Sequence, residues 1–552
     1  MSGDGAASIA SIIEVAGIIA ADAPVELKDV GITAREALLT ICDDATAWRT
    51  PNGETFASLK VDGHIEHHVI SGSAFRNWMI AELARRFLIK QRPASTNERV
   101  VQDVRMSLEA RASLAGVRHG SALRVVGNGD SFYIDLGTPD WSAVKVTANG
   151  WELVPTSPIP ILRSKRTGSF PIPVRGGTFA PLRRLLAHLG DDDYCMYVSF
   201  GVAALWPLGP YPIFVLGGEQ GSGKTTLARL MQRLTDPVHG DLLQPPRDDR
   251  DLIAAARQNR LLGFDNLSAV RPDLADSLCR LSTGSEIGGR ALYSDYDTAT
   301  FSAHRPIIIN GIPDLASRSD LASRAIVMRL GILEQRVTER DWQRQVEVAM
   351  PEVFGAFLDA LVVALQRLDA VQTPRVRMAD FARLIVAAEP ALPWHLGAFL
   401  GAYERNRTEA TATLVDGDLV AKLVRSFAGQ QPSWTGLVSE LYEVLSDGLP
   451  LEARRSRDWP GSARWFSDAL RRAAPGLRDL GVNVLEHKRS AGGTSVTITT
   501  AAALAALAAL AISGNDARAV RVPDDAANVA SAAIRATRAP EQTIVKRWTG
   551  RA

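Results

Sequence analysis

Residues Gly218-Glu219-Gln220-Gly221-Ser222-Gly223-Lys224-Thr225 constrain this chain more than any other stretch. Glycines at the first, fourth and sixth places, followed by Lys-Thr, make a loop whose backbone N–H groups can converge on an anion. Such a loop works between an apolar strand and the N-terminus of a helix, whose positive end faces the same anion. Both neighbours are predicted: Ile213–Leu216 reads as the strand and Thr226–Leu234 as the helix. A chance glycine turn would not supply all three together. The expected ligand is ATP with Mg²⁺. In this reading Gly218, Glu219, Gln220, Gly221, Ser222, Gly223, Lys224, Thr225 and Thr226 surround the phosphates. Lys224 reaches the β- and γ-phosphates, and the Thr225 hydroxyl holds the metal.

An acid is needed to complete the metal site. Arg260-Leu261-Leu262-Gly263-Phe264-Asp265-Asn266 is an apolar strand ending in one, so Asp265 is expected on Mg²⁺ with Thr225. Many ATPases place a glutamate next, to polarise the attacking water. Here the position is Asn266, which can orient water but not take its proton; Glu219 and Glu286 are conceivable substitutes. A second apolar strand, Pro306-Ile307-Ile308-Ile309, ends in the amide of Asn310; it resembles the sensor-1 strand of AAA+ ATPases, which implies an amide that faces the γ-phosphate or the water. In Ser317–Arg324, an arginine can reach a neighbouring subunit's nucleotide: Arg324 is the first choice and Arg318 the second, the alternative being a surface ion pair with Asp320.

The chain of 552 residues is long enough for several domains, and its net charge of +1 supplies no global field toward DNA or membranes. Any nucleic-acid surface is therefore a local patch. Cys42, Cys195 and Cys279 lie far apart, which suits a reducing cytoplasm rather than a disulfide framework. No uninterrupted apolar run reaches bilayer length and no signal peptide is evident, so no membrane partner is expected. The organisation read from the sequence is an N-terminal α+β region of unread role over 1–190, an α/β nucleotide domain over 191–335, a helical domain over 336–430, a small domain over 431–500, and an Ala/Arg-rich, disordered tail over 501–552. Phe75–Lys90 reads as an amphipathic helix with Trp78, Leu83 and Phe87 along one side. Paired hairpin signals around Gly127–Asp130 and Asn149-Gly150 give an antiparallel sheet, and the proline-rich stretch 155–178 reads as a linker or surface loop.

The motif order now carries a resemblance. After the phosphate loop come Leu-Gly-Phe-Asp-Asn-Leu-Ser (262–268), Cys-Arg-Leu-Ser-Thr-Gly (279–284), Gly-Arg-Ala-Leu-Tyr (289–293), Arg-Pro-Ile-Ile-Ile-Asn-Gly (305–311) and Asp-Leu-Ala-Ser-Arg-Ala (320–325). This resembles the ATPase domain of phage- and plasmid-borne primase-helicases, similar to the poxvirus-type, superfamily three helicases within AAA+. The match is close over about 210–335 and looser beyond. The resemblance implies an α/β fold with a P-loop AAA+ ATPase core. It also implies a homo-oligomeric ring, a hexamer, moving on single-stranded DNA, with other replication proteins as possible partners. It further implies a DNA-touching hairpin before the Asn310 strand, in which Arg290 and Tyr293 would meet phosphate and base. Primase chemistry is not expected, because no Asp-x-Asp precedes residue 190; Asp295-Tyr296-Asp297 has the spacing but lies inside the ATPase domain.

Two other constellations stand out. His64, Glu66 and His68 would share a strand face, either as metal ligands or as a solvated face. Trp434–Leu445 and Ser462–Ala474 read as helices, and Val482–Glu486 and Thr494–Thr499 as strands around a basic turn. That is a winged-helix outline, with Leu437, Leu441, Leu445, Trp465 and Leu470 offering the core. Arg464, Arg471, Arg472, Lys488 and Arg489 would contact double-stranded DNA. The alternatives to a translocating helicase are a nucleotide-switched initiator or loader, and a regulator with a vestigial ATPase.

Overall fold

The computed structural model describes residues 24–506 apart from 52, 62, 115–117, 119, 121, 128–129, 291–297, 302, 313–314, 334–336 and 487–492, with backbone alone for 287–290 and 298–301. The chain divides into two compact units, Met1–Leu315 with Ser323–Glu404, and Ala316–Ala322 with Arg405–Ala552.

Among the described residues, two hydrophobic clusters of the first unit matter for the site. One gathers residues between Leu27 and Ala112. Its elements are α1 (Ala34–Asp43), the antiparallel strands β1 (Thr46–Arg49), β2 (Thr55–Val61) and β3 (His64–Val69), then α2 (Ser73–Arg86) and α3 (Glu98–Leu114). Thr33 starts α1 by a reciprocal cap with Glu36. The helix expected over Phe75–Lys90 stops at Arg86, because Phe87–Ile89 leaves to pair with Val25–Glu26. Its buried stripe is Phe75, Met79 and Leu83, spaced four apart, while Trp78 is only partly covered.

The second cluster runs from Val125 to Tyr403. A domain boundary at 190 is therefore not where the packing breaks. The four-stranded antiparallel sheet β4 (Val125–Gly127), β5 (Ser131–Asp135), β6 (Ala143–Thr147) and β7 (Gly150–Val154) shares this core with α4 (Ala180–Leu185) and α5 (Asp191–Leu205). The proline-rich stretch is likewise no free linker. Phe170 stacks on Phe354 at 4.4 Å, and the Val174 N–H donates to the Pro351 carbonyl at 3.0 Å. Helix α5 is buried at every residue from Tyr194 to Leu205, which explains its apolar character on all sides.

The centre is a parallel sheet of β8 (Ile213–Gly218), β9 (Leu262–Leu267), β10 (Ile307–Gly311) and β11 (Ala325–Leu330), in spatial order β9-β10-β8-β11. Covered on both faces, these strands are continuous apolar runs rather than alternating ones. Helix α6 (Lys224–Thr235) follows β8 directly. Before β10, Ile287–Arg290 and Thr298–Phe301 pair as an antiparallel hairpin. After β11 comes α7 (Glu339–Arg367). By length and composition this is the one helix among the described residues that can cross a membrane, with two thirds (67%) of its most apolar window buried within the fold. Its apolar stretch is not an uninterrupted run, because Glu352 and Asp359 fall within it. From 339 to 404 the helices pack into this core, so the expected helical domain over 336–430 is split between the two units.

A buried ionic tie joins the antiparallel sheet to the parallel one. Arg124, 3% exposed and in the left-handed region, donates to Asp236 Oδ1 at 2.9 Å and to the carbonyls of Gly168 and Pro237. The other Asp236 oxygen accepts the N–H groups of Arg260 and Leu261, just ahead of β9.

In the second unit, α8 (Leu419–Gln430), β12 (Ser433–Leu437), α9 (Val438–Asp447), α10 (Ala463–Asp479), β13 (Val482–Glu486) and β14 (Ser495–Thr500) enclose a core of their own. The stretch expected as one helix from Trp434 begins as a strand paired with β14; α9 starts only where Glu440 accepts the Leu437 N–H at 2.9 Å. Trp465, expected in the core, is 66% exposed, whereas Phe466 beside it is fully buried. The aromatic face of α10 is one residue out of register with the expectation.

Candidate nucleotide site

All four strands of the parallel sheet end at one edge, and the site is built there. Gly218 closes β8; Gly221 and Gly223 take φ of 85° and 83°, a region that costs L side chains about 1 kcal/mol or more. A Cβ on Gly218 would stand 2.5 Å from the Leu330 carbonyl, so the loop can lie on β11 only as glycine. The Lys224 ammonium donates to the carbonyls of Gly218 and Glu219, both at 2.7 Å, which holds it across the loop. Burial lowers its pKa, and the nearby Asp265 works in the opposite direction.

Strand order decides which side chains meet. With β10 between β8 and β9, Asn310 stands between the loop and the acid. The Thr225 hydroxyl donates to Asp265 Oδ1 at 2.9 Å, so the two oxygens expected on Mg²⁺ already converge. Hydroxyl and carboxylate oxygens are the hard donors that Mg²⁺ accepts, and two of them leave room for phosphate and water. Asn310 is 1% exposed; its Oδ1 accepts the Asn266 N–H at 2.8 Å, and its Nδ2 is buried without a partner. A buried amide with an unused donor is costly, so an acceptor at this edge suits it. Asn266 has φ 58°, a conformation Asn tolerates better than Glu. That is a local reason for an amide where an acid is usual.

The cleft over this edge measures about 1160 Å³ and includes Lys224, Thr225, Asp265, Asn266 and Asn310. Neither Glu219 nor Glu286 lines it; the carboxylates that do, besides Asp265, are Asp193 and Glu339. Sequence reasoning also missed Arg329, His188 and Trp342 on its walls. Arg329 was findable: it is the exposed residue in an otherwise buried strand, in register with Gly217. His188 and Trp342 carry no motif. Burial lowers the His188 pKa.

Of the two arginines expected as fingers, Arg324 is placed by the sheet and Arg318 by an ion pair. The Arg324 carbonyl accepts the Ile213 N–H at the opening of the sheet, so Arg324 lies at the opposite edge from the loop. Five residues of strand put it roughly 16 Å away within its own chain. Arg318 pairs with Asp320 at 3.2 Å, the ion pair weighed as an alternative.

Of the expected DNA contacts, Arg290 ends the first strand of the hairpin, while Tyr293, Lys488 and Arg489 lie outside the described residues, as do Asp295–Asp297 and the tail beyond 506. Arg464 and Arg472 are exposed on α10; Arg471 is engaged by Glu486 at 3.0 Å and Asp468 at 3.1 Å. In the His cluster, Glu66 bridges both neighbours, at 3.0 Å from His64 and 2.7 Å from His68. Among the described residues no group of three or more His, Cys, Asp or Glu is placed to hold a metal ion.

Comparison with known proteins gives two family matches. Residues 181–404 match the family described as actinomycete integrative conjugative element replication protein, and residues 420–513 match the C-terminal domain of that same family. No curated protein matches the chain. Among solved structures, the apo A form of the NrS-1 C-terminal region is similar at 11% identity and a TM-score of 0.34, covering 85% of this chain and 99% of that one. The JCV helicase is similar at 15% identity and a TM-score of 0.23, covering 39% of this chain and 65% of that one.

Proposed function

We propose that this chain, whose residues 181–404 and 420–513 match the replication-protein family of integrative conjugative elements, is a DNA-translocating ATPase, a helicase that works as a ring on single-stranded DNA. The observation that carries this reading is the convergence of Thr225 and Asp265 at 2.9 Å beside the unpartnered Nδ2 of Asn310, at the end of a glycine loop. In this reading the core is of the P-loop AAA+ type and the second unit a winged helix that holds duplex DNA.

The residues have distinct tasks. Backbone N–H groups of 218–225 and the start of α6 bind the phosphates, and Lys224 leaves its loop carbonyls for the β- and γ-oxygens. Thr225 and Asp265 would hold Mg²⁺, which supplies charge neutralisation between those oxygens when bound. Asn310 donates Nδ2 to the γ-phosphate or to the attacking water, while its Oδ1 is fixed by the Asn266 N–H. Asn266 orients water without accepting its proton, so basal turnover is slow and DNA stimulates it. Arg324, too far from its own loop, acts on the neighbour's nucleotide. The hairpin bearing Arg290 and Tyr293 meets single-stranded DNA in the channel, and Arg464, Arg472, Lys488 and Arg489 meet duplex phosphates. Cytoplasmic work on DNA accords with three buried cysteines, none of them in a disulfide.

Asn266 favours one second reading: a nucleotide-switched initiator or loader that binds ATP and unwinds nothing. A strand-displacement assay on a forked duplex separates the two. ATP-dependent release of the labelled strand by the parent and none by Lys224→Ala supports the helicase. Hydrolysis or tight ATP binding without strand release leaves the switch.

A further inference from the structure

We propose that Trp465 is a base-contacting residue, which meets thymine methyl groups in the major groove of duplex DNA while Arg464 and Arg472 take the flanking phosphates. The inference rests on the reading of the second unit as a DNA-binding winged helix, and it names a residue that the basic-charge argument did not.

Helix α10 docks through Phe466, Ala469, Leu470 and Leu477, all buried. On a 3.6-residue turn these occupy one arc, and Arg464, Trp465, Asp468 and Arg472 occupy the opposite, exposed one. Trp465 is the one large hydrophobic side chain of α10 left exposed, at 66%, among the described residues. The unit's aromatic cluster is made by Tyr442, Trp459 and Phe466, so the core is complete without it.

The position is the first turn of the helix. Ser462 Oγ accepts the Trp465 N–H at 3.4 Å, so the side chain emerges where a groove-entering helix presents its base-reading residues. Its surroundings select nucleic acid over protein. The core of a protein interface is depleted of charged residues as a class. Here Arg464 precedes Trp465 on the same exposed arc and Arg472 stands almost in line with it two turns on, roughly 10 Å along the axis. Arg471 is already tied to Glu486 and Asp468, which leaves Arg464 and Arg472 as the exposed cations flanking the indole. An apolar plane between cations matches a groove whose floor carries methyl groups and whose walls carry phosphates.

The test uses the full chain and fluorescence anisotropy with a labelled mixed-sequence duplex, and with the same duplex carrying deoxyuridine in place of thymidine. Apolar contact releases no counterions. Trp465→Ala is therefore expected to weaken binding about tenfold at every salt concentration with the salt slope unchanged, while Arg472→Ala flattens that slope by about one. The deoxyuridine duplex should weaken the parent severalfold and leave Trp465→Ala indifferent. Trp465→Gln, with a melting temperature equal to the parent's, repeats the result in a second folded variant. If the parent binds with a salt slope and both Trp465 variants bind equally well, the inference fails and the DNA reading stands. If those variants lose self-association while DNA affinity is unchanged, Trp465 is a protein contact and the inference fails. If the parent itself binds no duplex, the winged-helix reading fails and takes the inference with it.

Discussion

At the residue scale the site turns on one exchange, an amide at 266 where a carboxylate is usual. Its φ of 58° and its N–H bond to Asn310 show that the backbone at 266 has a task apart from its side chain. The two can be separated. Asn266→Gly accepts the same φ and retains the N–H, so the Asn310 clamp persists and only the side-chain amide is lost. Turnover in this variant is expected to fall by about tenfold, or about 1.4 kcal/mol in the barrier, with ATP affinity within a few-fold of the parent. Asn266→Val, which resists positive φ, should lose more and loosen nucleotide binding as well. Equal turnover in the parent and the glycine variant, under single-turnover conditions, would show that Asn266 contributes through its backbone alone.

At the scale of elements, two ties carry testable weight. Arg124 holds the antiparallel sheet to Asp236, and Asp236 holds the strand that bears Asp265. Arg124→Met leaves a buried carboxylate and the carbonyls of Asp135, Gly168 and Pro237 short of a donor, a loss of about 3–5 kcal/mol. Hydrogen exchange at the amides of Arg260 and Leu261 should rise well before that in α10; unchanged protection would mean that water replaces the guanidinium. The second tie is Glu66 on β3. Hydrogen bonding from His68, then from His64, brings its pKa from 4.5 down to about 2 against the opposing effect of burial. A depressed carboxylate stabilises above its unfolded pKa and loses that contribution as pH falls through the folded one. Acidification from about 4.5 to about 2 should therefore cost the N-terminal core about 1–2 kcal/mol once solvent screening of this half-buried group is counted, and Glu66→Gln should flatten the response. A variant whose acid unfolding matches the parent's would assign the loss to other groups. The loop, its strand and helix, the acid strand and the Asn310 strand were legible because each is an uninterrupted local pattern. So were the antiparallel hairpins and Val482–Glu486. The domain limits were not, since the core from Val125 to Tyr403 is assembled from long-range contacts that no local pattern records. Trp465 failed for the opposite reason. Its spacing fits a helix, but periodicity does not say which of Trp465 and Phe466 faces inward.

At the scale of the whole molecule, the distance of Arg324 from its own loop has a consequence for assembly. If it acts in catalysis, it acts across a subunit boundary. Arg324→Ala should then bind ATP but lose turnover, and mixing it with Lys224→Ala should restore part of the rate, because mixed rings contain some intact interfaces. Verified mixed assemblies with no recovered activity would remove the trans role. The claim on which all of this depends is that the cleft hydrolyses ATP in response to DNA. The most direct measurement is steady-state ATP hydrolysis by the full chain, with and without single-stranded DNA, beside Lys224→Ala. The account predicts a low basal rate, a clear rise on adding single-stranded DNA, and no turnover by a folded Lys224→Ala in either condition. A parent rate that is high and indifferent to DNA, or a Lys224→Ala rate equal to the parent's, would contradict it.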